Sequence, residues 1–211
     1  YTGGFRSGLG RYDEGIELLR DGIATLRECG TGRDLGLALN MLAAALTMKG
    51  RDTEVRDCLQ ESLEASERAG DRWTTAFALN DLGMLLHKHF GDDDASRHCE
   101  RSRTIFRQIG DARGQAFAAH NLGIIAFEQG RYRRAMALHH EAKSLRSEIN
   151  DTWGVATSLV QIGVVSRATG ATDAARRELT RALRVAWESS IVPVVLEALV
   201  DSDAKVVEYR R

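Results

Sequence analysis

NLGIIAFEQGRYRRA, residues 121 to 135, sets Leu122 before Gly123, places Gly130 seven residues later and brings Ala135 twelve residues after Gly123. The same spacing returns when the chain is laid on itself with a shift of 40 residues. GRDLGLALNMLAAALTMKGR from residue 32, DRWTTAFALNDLGMLLHKHF from 71, DARGQAFAAHNLGIIAFEQG from 111 and DTWGVATSLVQIGVVSRATG from 151 then share their columns. One column reads Ala43, Gly83, Gly123, Gly163, preceded by Leu42, Leu82, Leu122, Ile162. Twelve residues on stand Val55, Ala95, Ala135, Ala175, and seven further Ser62, Ser102, Ala142, Ala182. Gly91 stands one place beyond the glycine expected at 90, yet Ala95 keeps the register, and Gly10, Gly15 and Gly22 start a fifth, partial copy. A fixed period of this length is the mark of a repeat architecture.

Within a repeat the apolar spacing is helical. Leu39, Leu42, Ala43 and Leu46 fall within about 100 degrees of one another at 3.6 residues per turn and form one packing face. Val55, Leu59 and Ser62 form the face that meets it from a second helix. Glycine or alanine at 43, 83, 123 and 163 lets that second helix come close, which offsets a helix-propensity cost of about 1 kcal/mol for each glycine. MKGRD, HFGDDD, EQGRY and ATGATD join the two helices, each with a glycine for the turn and most with an acidic residue near the next N-terminus.

On these residues the chain resembles the tetratricopeptide-repeat family. In NLGIIAFEQGRYRRAMALHHEA, Leu122, Gly123, Gly130, Tyr132, Ala135 and Ala142 occupy that family's characteristic places, and QIGVVSRATGATDAARRELTRAL repeats most of them. The resemblance covers about residues 3 to 190. Two features depart from the family pattern: the period is 40 residues rather than about 34, and the closing proline gives way to Gly-Asp or Asn-Asp at 70–71, 110–111 and 150–151. The long form is similar to repeats of spindle-orientation adaptors and of sensor regions in large bacterial signalling ATPases and transcriptional regulators, and it looks closest to the bacterial group. The resemblance implies an all-α, right-handed superhelical solenoid of antiparallel helix pairs whose concave side binds a partner. The expected organisation is one continuous domain: a partial repeat over 1–29, repeats over 30–69, 70–109, 110–149 and 150–190, and a C-terminal capping helix over 191–211 that Pro193 starts.

Opposite the packing face, each first helix carries a second stripe at i, i+3, i+7, i+10 and i+11. It reads Leu37, Asn40, Ala44, Thr47, Met48; Phe77, Asn80, Met84, His87, Lys88; Phe117, His120, Ile124, Phe127, Glu128; and Thr157, Val160, Val164, Arg167, Ala168. This stripe is more apolar than a solvated face. The expected peptide-binding groove is Asn40, Phe77, Asn80, Met84, His87, Phe117, His120, Ile124, Phe127, Val164 and Arg167, with Asn40, Asn80 and His120 placed to hydrogen-bond an extended backbone. Leu37, Phe77 and Phe117 also suit packing between neighbouring first helices. Chaperone-binding members of the family clamp a terminal carboxylate with lysine, arginine and asparagine, and spindle-orientation adaptors carry asparagine after the small residue. Here that column is Ala44, Met84, Ile124, Val164, which argues against both ligand classes.

Other chemistry is thin. His87 and His89 project about 200 degrees apart on a helix, His139 and His140 about 100 degrees apart, so neither pair shares a metal. Asp92, Asp93 and Asp94 read as a helix cap rather than a calcium loop. No phosphate-cradling loop and no glycine-flanked serine occurs, so no catalytic residue, cofactor or metal is expected and the chain reads as non-enzymatic. Cys29, Cys58 and Cys99 form no C-x-x-C pair, and no apolar run reaches the roughly 20 residues of a membrane span, so a cytoplasmic protein is expected. Net charge is -1, with 12 Lys+Arg against 18 Asp+Glu in residues 1–100 and 17 against 12 thereafter. Arg131, Arg133, Arg134, Arg176, Arg177, Arg181 and Arg184 lie on second helices without interleaved aromatics, which makes nucleic acid an unfavoured partner. Trp73 and Trp153 share a column that reads as cover for the seam between repeats.

The chain starts at Tyr1 rather than methionine and reads as a piece of a longer protein, with an uncapped N-terminal end open to self-association. The expected function is an interaction scaffold or sensor module of a larger signalling or regulatory protein that takes a peptide or helix in its concave groove. The expectation from another class is a small-molecule-sensing domain of a transcriptional regulator, with a pocket near Phe77, His87, Phe117, His120 and Phe127.

Overall fold

The computed structural model describes residues 12–90 and 93–189, and among them every regular element is an α-helix. In chain order these are α1 (Tyr12–Cys29), α2 (Gly32–Met48), α3 (Asp52–Ala69), α4 (Arg72–Phe90), α5 (Asp93–Gln108), α6 (Ala112–Glu128), α7 (Tyr132–Glu148), α8 (Thr152–Ala168) and α9 (Thr172–Glu188). Helices α2/α3, α4/α5, α6/α7 and α8/α9 are the antiparallel pairs, one per 40-residue period, and α1 is the second helix of the partial copy. The chain divides into two compact units, Tyr1–Gly110 and Asp111–Arg211, where the repeats alone led to the expectation of one domain. The division falls at a repeat junction because each repeat in such an array contacts only its neighbours. The capping helix expected over 191–211 and the start of the partial repeat lie outside the described residues.

In the first unit α1 packs on α2, α2 on α3, α3 on α4 and α4 on α5, with α2 also against α4. Its core joins Ile16 and Ile23 of α1 to Leu39, Leu42, Ala43 and Leu46 of α2 and to Val55 and Leu59 of α3, all buried. In the second unit the order is α6 on α7, α7 on α8 and α8 on α9. The small-residue column sits where the helices of a pair cross. A Cβ on Gly83 would lie 2.6 Å from Cys99 Sγ, one on Gly123 2.5 Å from His139 Cε1, and one on Gly163 2.7 Å from Leu179 Cδ2.

The Gly-Asp replacement for the family proline does two jobs. Gly70 takes a left-handed φ of 68° and donates its N–H to Glu67, while Asp71 N donates to Ser66 O at 2.9 Å and closes α3. The aspartate then caps the next helix: Asp71 accepts from Thr74 N at 3.4 Å, Asp111 from Gly114 N at 3.0 Å and Asp151 from Gly154 N at 2.9 Å. Inside a repeat the acidic residues expected near the next N-terminus sit in the first turn, Asp52 and Glu54 in α3 and Asp173 in α9, and not at the cap itself. Arg51, Arg131 and Ala171 precede α3, α7 and α9 and make no side-chain cap bond. These turns close instead through the positive-φ residues Gly50, Gly130 and Gly170. The caps expected from Asp92 and Asp93 lie outside the described side chains, and Asp94 pairs with Arg97. No helix of the described residues is long and apolar enough to cross a membrane.

Candidate functional site

In the first unit the stripe opposite the packing face runs along α2 and α4. It is open on α2: Leu37 is 41% exposed, Met41 53% and Met48 58%. It is shallower on α4, where Phe77, Met84 and His87 are half-buried and Asn80 is fully buried. Phe77 lies 4.2 Å from the Trp73 ring and edge-on to Phe106 of α5 at 5.0 Å, so it serves the packing of the α4/α5 pair as well as the stripe. Trp73, on the same helix as Phe77, remains 43% exposed. Asn40 donates to Thr74 O at 3.4 Å and Asn80 to Asp81 Oδ1 at 3.3 Å, while the Oδ1 of both asparagines is buried without a partner. Lys88 and His89 both reach Asp52 Oδ2, at 2.6 and 2.8 Å.

Asp81 shares the α4 stripe, four residues after Phe77 and three before Met84. Burial pushes its carboxyl up to about 6, against the lowering effect of the Asn80 amide, and no lysine or arginine among the described residues pairs with it. Met41 and Asp81 occupy one column, which the helical spacing of the sequence contains but the stripe read from it omits.

The second unit is more closed. Phe117, Ile124 and Arg167 are half-buried, whereas Phe127, at 9% exposed, packs on Tyr132 with ring centroids 5.5 Å apart. Val160 and Val164 are buried. The groove expected from the sequence is therefore narrowed at Asn80, Phe127 and Val164. Each lies on the right stripe, but too deep to meet a partner without movement.

Beneath this stripe lies a polar cluster. The His120 ring stands edge-on to His139 at 5.5 Å, and His139 is fully buried with neither ring nitrogen hydrogen-bonded. Burial first, then the charges of Arg146 and His140, hold His139 down to about 3. Burial, Arg146 and His139 hold His120 well below its usual value. Arg146, itself buried, donates Nη1 to Gly154 O at 3.0 Å, Thr157 Oγ1 at 3.1 Å and Ser158 Oγ at 2.8 Å. Its side chain crosses Gly154 so closely that a Cβ there would lie 2.6 Å from Arg146 Cδ.

The chemistry of this arrangement is that of contact and charge. Cys99 is buried under Gly83 and burial pushes its thiol up to about 12; Cys29 and Cys58 are free as well. Among the described residues no group of three or more His, Cys, Asp or Glu could hold a metal ion. The seven arginines read as a basic run on second helices are exposed.

A family model described as tetratricopeptide repeat matches residues 74–148 and again 115–186, together more than half of the 211 residues. No curated protein matches the chain by sequence. Among solved structures it is similar to BtubC from P. vanneervenii, with a TM-score of 0.75 and 19% identity over 88% of this chain and 77% of that one. It is also similar to a Rap protein complexed with competence and sporulation factor, with a TM-score of 0.79 and 14% identity over 99% of this chain. Aspartyl phosphate phosphatase F from Bacillus subtilis gives a TM-score of 0.77 at 12% identity over 97% of this chain. The chain spans 63% of the Rap protein and 57% of the phosphatase. At these identities the likeness is one of fold, an all-α array of helix pairs.

Proposed function

The chain belongs to the tetratricopeptide-repeat family, and on that premise we propose that it is a protein-interaction module whose first-helix stripe forms a concave groove for a peptide or helix. The single observation that carries this reading is the exposed apolar run on α2, where Leu37, Met41 and Met48 stand 41%, 53% and 58% open. A contiguous apolar strip of that kind marks a docking surface more than a solvated face. Binding, not catalysis, is the role in this reading, and burial holds the thiol of Cys99 protonated.

A signalling or regulatory setting is supported by the Rap protein of the same fold, which is complexed with competence and sporulation factor. The mechanism follows from repeat packing. An occupant that touches α2 and α4 together changes their spacing, and Phe77 and Phe106, in ring contact within the α4/α5 pair, carry that change into α5.

The test is affinity capture from native lysate with three folded forms: wild type, Met41→Arg/Met48→Arg, and Arg133→Ala/Arg177→Ala as a second-helix control. A partner retained by wild type and control but lost from the methionine variant supports the groove. A partner that the methionine variant retains, or that only the arginine variant loses, overturns it in favour of the second-helix surface.

A further inference from the structure

We infer that the α2/α4 face docks the apolar stripe of an amphipathic helix that carries a lysine or arginine, whose cation pairs with Asp81. The inference rests on the groove reading above and adds the chemistry of the occupant.

Shape argues for a helix. Leu37, Met41 and Met48 are exposed at i, i+4 and i+11, with the small Ala44 at i+7, so they form a ridge along the axis of α2. A parallel ridge on α4 carries Phe77 and Met84. Two such ridges leave a furrow between packed helices, which receives the apolar face of a third helix by its own i, i+3, i+4 and i+7 side chains. Composition agrees. Three of the chain's four methionines, Met41, Met48 and Met84, lie on this face, and the flexible thioether side chain is suited to re-packing around an incoming helix.

Charge selects the helix. Asp81 interrupts the α4 ridge between Phe77 and Met84, is half-buried, and among the described residues has the amide of Asn80 as its only hydrogen-bond partner. Lys88, two turns along the same face, is already engaged by Asp52 at 2.6 Å. A carboxylate in a half-dry position without a cation is a costly arrangement, and burial accordingly raises its pKa to about 6. An acidic occupant would set a second carboxylate against it, and a purely apolar one would finish its desolvation without compensation. A basic residue on the flank of the apolar stripe supplies the missing charge.

Three fluorescein-labelled synthetic helices of about five turns, identical in their leucine stripe and carrying Lys, Gln or Glu beside it, test this against the full 211-residue chain by fluorescence anisotropy at pH 7.5. The Lys peptide should bind at least about tenfold tighter than the Glu peptide. Asp81→Asn should bring the two to within about twofold while leaving the Gln peptide's affinity unchanged or raised. Met41→Glu/Met48→Glu, at positions exposed enough to keep the fold by circular dichroism, should abolish binding of all three. A Lys-to-Glu ratio that survives Asp81→Asn overturns the pairing but leaves the groove in place. Binding that survives the methionine substitutions overturns the groove as well, and no measurable binding of the Lys peptide overturns the inference outright.

Discussion

Acidification from pH 7 to pH 5 will loosen the second unit through the His120–His139 pair, and His139→Leu will remove much of that sensitivity. In the folded chain His139 is held down to about 3 by burial and by the charge of Arg146, and His120 is held well below 6.5 by the same two causes and by His139. In the unfolded chain both titrate near 6.5. The folded pKa is depressed, so the unfolded chain binds more protons between about pH 6.5 and 3. The stabilisation is therefore complete above 6.5 and drains away as pH falls towards 3. Between pH 7 and 5 the loss from His139 is about 2 kcal/mol, and His120 adds to it in the same direction. Leucine fits position 139, because Leu59 and Leu179 fill the same column and Leu179 lies against Gly163 as His139 lies against Gly123. At pH 7 the variant should be as stable as wild type or up to ~1 kcal/mol more so, since two buried unpartnered nitrogens are removed. Urea unfolding at pH 5, 6 and 7 at fixed ionic strength measures the slope, and the imidazole Cε1 proton shifts report each pKa directly. Equal acid losses in wild type and His139→Leu, or a His139 resonance that titrates near pH 6.5, would refute the reasoning.

The glycines divide by their surroundings: Gly15→Ala and Gly22→Ala, where a new Cβ meets nothing within 4 Å, should each raise stability by up to ~1 kcal/mol. Gly83→Ala, whose Cβ would lie 2.6 Å from Cys99 Sγ and 2.9 Å from the Ala95 carbonyl, should lower it by about 1–3 kcal/mol; thermal melts of the three variants read both signs. Asp151→Ala removes the cap on Gly154 N at 2.9 Å and should cost about 1 kcal/mol, while Arg131→Ala, at a cap position with no side-chain bond, should stay within about 0.5 kcal/mol of wild type in the same assay.

The helix pairs, their turns and their packing faces were legible because they repeat. A column such as Leu42, Leu82, Leu122, Ile162 reports the same burial four times, and all four residues are in the core. Depth on the opposite stripe was not legible in the same way. A helical wheel gives the direction of Asn80, Phe127 and Val164 but not how far neighbouring structure covers them, and all three are buried. Met48, in the same stripe, is 58% exposed. The wheel also permitted Met41 and Asp81 on that face, and a stripe taken one residue wider would have included them.

Arg146 shows why single columns fall short. Its equivalents are Ser66, Phe106 and Ala186, a set that by itself names no role. The partners differ in kind: Phe106 meets Phe77 inside its own repeat, whereas Arg146 reaches across the repeat junction to Thr157 of α8. Gly154 follows, because any Cβ there would strike the Arg146 side chain. His139 belongs to the same logic, standing where other repeats carry Leu59, Cys99 and Leu179. Residues that agree across the repeats hold the helices at their spacing, and that spacing leaves only a few positions free to differ. Asp81, His139 and Arg146 occupy such positions, so the properties that separate this array from another of equal shape lie in the departures from its own period.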